Sequence, residues 1–468
     1  MHKTLFFIFV ILAIANAHDY NVYDMNGKKI GSFSGIANKY TLTKLTQEYN
    51  RSILVHKSTA HNTKEIKRTN QDQLTKKTIV LKQDSLNIDT WLELEKNETV
   101  KICLDTRVLV WETSLTSSLI SDSCLFLQAP TLIGVDSVKI YLPEKDSSHK
   151  INLAINMRYL NFKNEKVLLG YNEYKGNDGH LKWIFDNYPD EEDPERLISI
   201  TGTYLIDKYP VTNCEITQLM WDSISTEPSF VNTRLQKFAE QWKYRKNNSE
   251  RNKNCISKDT AACTVFLFQA MKYANARSIR EGLKPYYKFS KVNEEEQKIL
   301  SKGNYIIGLF DLSKNKDNFI QVSTNFTSNG YRLPYYDEWM FLARGGDKKN
   351  NAPWGDSSVS FDEASKYARF DTWKKFEVSE PVGQLNPNGY GLYDMFGLVE
   401  EHVLFEEKNP FKFLKNRPSC LKGGNNQVRK EYKRGNTSPY WKWINYGFYT
   451  SNYNGGKPAG FRLIRKLK

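Results

Sequence analysis

Residues 330–346 read GYRLPYYDEWMFLARGG. Residues 334–343 have the form of a short helix, with Asp337 and Glu338 in its first turn, where carboxylates suit the helix dipole. Trp339, Phe341 and Leu342 are its large apolar residues and belong to a core. Arg332, Asp337, Glu338 and Trp339 carry chemistry-capable groups, but their placement reads as structural, with the acids at a helix start and the indole packed. Downstream of Gly345 the composition changes to Gly, Asn, Pro and aromatics with few periodic runs. That is a domain of irregular loops, which a bound metal or disulfides would clamp.

Upstream, residues 198–211 (ISITGTYLIDKYPV) alternate as strands do. A helix over 212–225 follows, with Thr212 or Asn213 as its cap and Glu215 in the first turn. The strongest helical pattern runs over 260–281. Phe266, Ala270, Tyr273, Ala274, Arg277 and Ile279 form its stripe, and Gly282 is placed to stop it.

The chain has 468 residues, 40% hydrophobic and 13% aromatic, so a packed core is feasible and global disorder is excluded. Residues 1–17 read as a secretory signal: Lys3, then the apolar run 5–14, then the A-x-A site at 15–17. Export to periplasm, cell surface or medium is expected, and no later segment is apolar enough to span a bilayer as a helix. The six cysteines then allow disulfides in fifteen full pairings, of which Cys103–Cys124 and Cys255–Cys263 close the shortest loops. The net charge of +14 suits a solvated basic surface or an anionic envelope partner, protein or polysaccharide. No basic run interleaved with aromatics points to nucleic acid.

Domains follow from composition. Residues 18–97 are polar, with a β-hairpin at 20–34 turning at Asn26-Gly27. Residues 98–188 are a β-rich module of sandwich type, with short strands near 108–111, 125–127, 138–142 and 151–160. Residues 189–197 contain the acidic, proline-bounded linker PDEEDPE, and the last domain covers 198–466.

Six segments within 198–466 together resemble the formylglycine-generating enzyme, or sulfatase-modifying-factor, family. They are YLIDKYPVTN (204–213), AMKYANARSIREGLKPYY (270–287), RLP–EW–ARGG (332–346), PWGD (353–356), PNGYGLYDMFG (387–397) and GFRL (460–463). The resemblance implies an α+β fold, a C-type-lectin-like variant rich in long loops. Oxidase members carry two cysteines shortly after the glycine pair seen here as Gly423-Gly424. The corresponding residues are Val428 and Lys433, and 425–434 contains no cysteine. Copper(I) oxidation of a substrate cysteine needs soft thiolates, so copper and that oxidase activity are not expected. Cys420 lies before the glycine pair and does not stand in for them. The seven histidines lack i, i+4 spacing, which removes the iron-dependent branch of the family.

The resemblance leaves calcium. Asp394 and Glu401 would supply carboxylates, and Gly397 and Val399 backbone carbonyls, in the segment DMFGLVEE. A second, weaker site rests on Asp356, with Asp371 as partner and Arg369 where a ligand should be. His402 beside Glu400, with Arg429, is a possible acid–base set, although a lone loop histidine is more often a hydrogen-bonded structural residue. The stretch 440–449 (YWKWINYGFY) places Trp441, Trp443 and Tyr446 near strand spacing, a platform for sugar rings or a protein partner if it is not core. The combined expectation is an exported, non-catalytic binding or scaffold protein. The alternatives are an enzyme of the family and a carbohydrate-binding protein.

Overall fold

The computed structural model describes residues 18–23, 29–35, 53–57, 77–86, 90–142, 148–169, 196–226, 265–292, 308–311, 319–346, 363, 365–368, 381–404, 419–422 and 459–467. The chain divides into two compact units, Met1–Asn156 and Met157–Lys468.

Among the described residues the first unit is built of strands, with one 3-10 turn at Gln83–Ser85. Its strands are β1 (His18–Tyr23), β2 (Lys29–Gly35), β3 (Ile53–Lys57), β4 (Lys77–Leu81), β5 (Thr90–Leu94), β6 (Thr99–Leu104), β7 (Val110–Thr113), β8 (Ser117–Ser121), β9 (Cys124–Gln128), β10 (Gly134–Tyr141) and β11 (Ser148–Ile155). A seven-stranded sheet runs β2-β1-β3-β7-β10-β11-β5, and a four-stranded sheet runs β4-β6-β9-β8. Trp111, Val138, Ile140, Ile151 and Leu153 of the first share one core with Val100, Ile102, Leu125 and Leu127 of the second. Val100 and Ile102 on β6, and Val138 and Ile140 on β10, are alternate residues that face inward, as the period of two requires. β1 and β2 form the expected antiparallel hairpin. Cys103 and Cys124 are directly opposed on β6 and β9 and are disulfide-bonded.

The separation drawn at residue 97 does not divide this fold. β3 pairs in parallel with β7, β4 with β6, and β5 with β11. The strand run read over 151–160 breaks at Asn156, whose φ of 53° is left-handed. β12 (Met157–Leu169) then pairs with β13 (Arg196–Asp207), so residues assigned to the first module belong to the second unit. The PDEEDPE segment lies outside the described residues.

The second unit is mixed and sheet-rich, with few helices. Its remaining described elements are α1 (Asn213–Thr226), α2 (Leu267–Arg280), β14 (Tyr287–Val292), β15 (Gly308–Asp311), β16 (Phe319–Thr324), α3 (Tyr336–Ala343), β17 (Glu401–Leu404), β18 (Ser419–Lys422) and β19 (Ile464–Leu467). The sheets run β12-β13-β19, β14-β16-β15 and β17-β18. α1 is capped by Thr212. Its backbone N–H donates to Glu215 Oε2 at 2.9 Å, while Glu215 N–H donates to Thr212 Oγ1 at 3.3 Å, a reciprocal capping box. α2 ends as its sequence suggests, at Gly282 with a φ of 69°. Ile279 does not join its buried stripe and is 64% exposed.

α3 is the core helix. Trp339, Met340, Phe341 and Leu342 pack with Phe162, Val167, Ile206, Phe396 and Val403. Asn388 closes its C-terminal end, donating from Nδ2 to Leu342 O at 2.8 Å. Gly345 and Gly389 touch backbone to backbone there. A Cβ on Gly389 would stand 2.1 Å from Gly345 O. That contact explains why the ARGG and PNGYG segments need glycine.

Candidate functional site

The signature segments converge on buried ion pairs. An isolated charge at such depth is costly, so each must be paired and hydrogen-bonded. Arg332 and Glu338 form a fork, with Nη1–Oε2 at 2.6 Å and Nη2–Oε1 at 2.7 Å. Glu338 also accepts the Tyr335 N–H at 2.9 Å, so one carboxylate caps α3 and neutralises Arg332. Burial works against the charge on Arg332, but Glu338, together with Tyr335 and Tyr286, outweighs it and moves the pKa up. Asp337 pairs with Arg196. The acids of the first turn therefore hold the fold, as the sequence suggests, but through arginines more than through the dipole alone.

Asp207, at the end of β13, meets Arg277 of α2 at 2.7 Å, and neither side chain is exposed to solvent. Asp207 Oδ2 also accepts the Leu463 N–H at 2.9 Å. Burial raises the Asp207 pKa to about 6, with Arg277 opposing. Arg277 stacks over Tyr331, 4.0 Å from the ring centroid, and Tyr331 donates to Glu281 at 2.7 Å.

The third pair involves Glu401, one of the expected calcium ligands. Its Oε1 accepts from Arg462 Nη2 at 2.7 Å and from Nε at 3.0 Å. Its Oε2 accepts from Arg462 Nε at 2.8 Å and from the Trp339 indole at 2.9 Å. Three N–H groups thus serve the carboxylate, the Nε–H being shared between its two oxygens, against about four lone-pair sites. Glu401 is engaged first by Arg462 and the Trp339 indole. Asp394 has a φ of 54°, and its Oδ2 accepts the Gly383 N–H at 2.6 Å. Gly397 and Leu398 are also left-handed, at 75° and 58°, giving the tight loop the sequence suggests. The four expected ligands therefore share one loop, but its only glutamate among them faces a guanidinium. Among the described residues no cluster of three or more His, Cys, Asp or Glu side chains has metal-holding geometry.

His402 is fully buried. Its backbone N–H donates to Gly460 O, and its Nε2 is 2.7 Å from Val265 O, which makes Nε2 the protonated nitrogen. Nδ1 has no hydrogen-bond partner among the described residues. Burial lowers its pKa to about 4. An imidazole locked on a backbone carbonyl positions strand β17 and does not exchange protons at neutral pH. Glu400 is also buried. Asp356, Asp371, Arg369, Val428, Arg429, Lys433, Trp441, Trp443 and Tyr446 lie outside the described residues. Cys420 is on β18, in register with Val403, whereas His402 is in register with Leu421.

Sequence reasoning missed Arg462, Asp207 and Arg277 as the cationic and anionic anchors. One signal was legible: a charged residue inside an apolar signature, Arg in GFRL and Asp in YLID, is buried only if paired.

Three comparisons place these features. The chain is 34% identical over 151 residues to the "Chaperone protein LppX" of Paenibacillus barcinonensis, covering 29% of this chain and 49% of that protein. It is 28% identical over 268 residues to the "Formylglycine-generating enzyme" of Mus musculus, covering 52% of this chain and 62% of the enzyme. The chain thus spans only about half to three-fifths of the length of these curated relatives. Among solved structures, Treponema denticola variable protein 1 aligns with a TM-score of 0.39 at 19% identity, over 71% of this chain and 99% of that one. The description "Sulfatase-modifying factor enzyme 1-like domain" matches residues 167–467, a span that begins in the last three residues of β12. With well over half its residues in that match, the chain belongs to the sulfatase-modifying factor enzyme 1-like domain family.

Proposed function

We propose that this protein is an exported, non-catalytic member of its family that binds or scaffolds a protein of the cell envelope. One observation carries the reading: Val428 and Lys433 stand where oxidase members hold copper through thiolates. Valine offers no ligand, and lysine is a hard cation at neutral pH. The buried carboxylates and arginines described above are committed to one another, which suits a rigid platform. Export is supported by the segment at 1–17 and by the Cys103–Cys124 disulfide, a bond of oxidising compartments. A protein client is supported by the name of one relative, the chaperone protein LppX. Residues 198–466 are read as a C-type-lectin-like variant on the order of their six signature segments.

The test is incubation of the purified mature chain with copper(I), oxygen and a peptide carrying a sulfatase-motif cysteine. No mass change, beside a working positive control, is expected. Conversion to the aldehyde overturns the reading. Cross-linking on intact cells should then yield a discrete complex with one envelope protein, and recovery of the uncomplexed chain alone overturns the scaffold role.

A second reading, carbohydrate binding, rests on the aromatic run 440–449. Retention on an acidic polysaccharide column that is lost in Trp441→Ala/Trp443→Ala supports it, and unchanged retention removes it.

A further inference from the structure

The loop that the family resemblance offers to calcium is built around a cation of its own. Arg462 is 1% exposed and uses every donor of its guanidinium. Nε and Nη2 hold the Glu401 carboxylate at 2.7 to 3.0 Å. Nη2 also donates to Tyr393 O at 2.8 Å, the carbonyl immediately before Asp394. Nη1 donates to Asp207 O at 3.3 Å and to Lys208 O at 3.4 Å. The set is one carboxylate and three backbone carbonyls, drawn from Asp207 and Lys208 at the end of β13, from Tyr393 just before the loop, and from Glu401 at the start of β17. These are the oxygen types that calcium collects from a tight loop. Here a planar, permanently charged side chain collects them instead, in the bidentate geometry that suits guanidinium and carboxylate.

We infer that Arg462 is the resident cation of this loop, and that the segment Asp394–Glu401 is ordered without calcium. All five guanidinium N–H groups are used and both Glu401 oxygens face the guanidinium, whatever the protein's role as a scaffold. A divalent ion entering on Glu401 would have to displace Arg462, leaving a buried guanidinium with its charge uncompensated.

The experiment uses the full mature chain. Its thermal midpoint and calorimetric calcium binding are measured in chelator and at about 5 mM calcium, above the range in which extracellular calcium modules bind. Asp394→Ala and Arg462→Lys are measured alongside. The expected result is that Asp394→Ala, which removes the side-chain oxygen that asparagine would keep, leaves any calcium response of the protein unchanged, while Arg462→Lys lowers the midpoint by several degrees in chelator and calcium alike. A calcium response of the wild type that disappears in Asp394→Ala overturns the inference. The wild-type and Asp394→Ala measurements decide the question even if Arg462→Lys fails to fold. A wild-type response that survives in Asp394→Ala places calcium elsewhere and leaves Arg462 as the cation of this loop.

Discussion

Asp207 and Arg277 meet at 2.7 Å with both side chains wholly buried, joining the end of β13 to α2. His402, equally buried, sits on β17 in the same unit. Their pH dependences run in opposite directions. Asp207 has a folded pKa near 6, above its ordinary 3.8. Its protonated form is favoured by folding, so its contribution is complete below pH 3.8 and is lost as pH rises through 6. His402 has a folded pKa near 4, below its ordinary 6.5, so its contribution is present above 6.5 and lost as pH falls toward 4. Each amounts to roughly 3 kcal/mol by linkage, and the two largely cancel between pH 4 and 6. Urea midpoints across that range should be nearly flat with respect to these groups. Asp207→Asn should expose a loss of stability on acidification, and His402→Gln a gain.

The Arg332–Glu338 fork should be costly to break and tolerable to remove. Arg332→Met leaves Glu338 buried without its cation and should destabilise the second unit by about 3–5 kcal/mol. The double variant Arg332→Met/Glu338→Leu should recover a large part of that loss, though Tyr335 N–H then loses its acceptor. Chemical denaturation of the three variants closes the cycle. A double variant as unstable as the single one removes the account.

The glycine contact below α3 predicts a position-specific effect. Gly389→Ala would drive a methyl to 2.1 Å from Gly345 O and should cost more than about 3 kcal/mol, or prevent folding. Gly282→Ala meets no atom within 4 Å but has a φ of 69°, so it should cost only about 1 kcal/mol. Equal effects in thermal melts would mean that close approach is not what Gly389 supplies.

The Cys103–Cys124 bond closes a loop with a sequence separation of 21. Replacing both by serine should destabilise the first unit by about 3 kcal/mol on the chain-entropy account. The two units have separate cores, so calorimetry should show one transition shifted and the other nearly unmoved.

Local features were the legible ones. The α1 cap, the stop at Gly282 and the hairpin at β1–β2 each depend on residues within a few positions of one another, and the chain wrote them openly. The Cys103–Cys124 pair was legible as near neighbours in sequence, although β7 and β8 lie between them and it is the β6–β9 pairing that brings them opposite. Cys214, which is also disulfide-bonded, was not paired by that rule. Glu401 shows why the site was only half readable. A carboxylate beside a glycine turn suits a metal and a guanidinium alike, and the cation that decides between them comes from Arg462, 61 residues later. Glu338 was read correctly as structural, but its partner Arg332 faces it only because the intervening chain turns into α3.

β19 pairs with β13 from Thr203↔Leu467 to Ile206↔Ile464, and it follows directly on the segment carrying Arg462. Everything from β13 onward must leave the ribosome before this sheet can close and before the Glu401 carboxylate meets its cation. The second unit is therefore bound to a late, long-range step of assembly. Until β19 arrives, the growing chain exposes an unfinished strand edge on β13 and an acid without its cation.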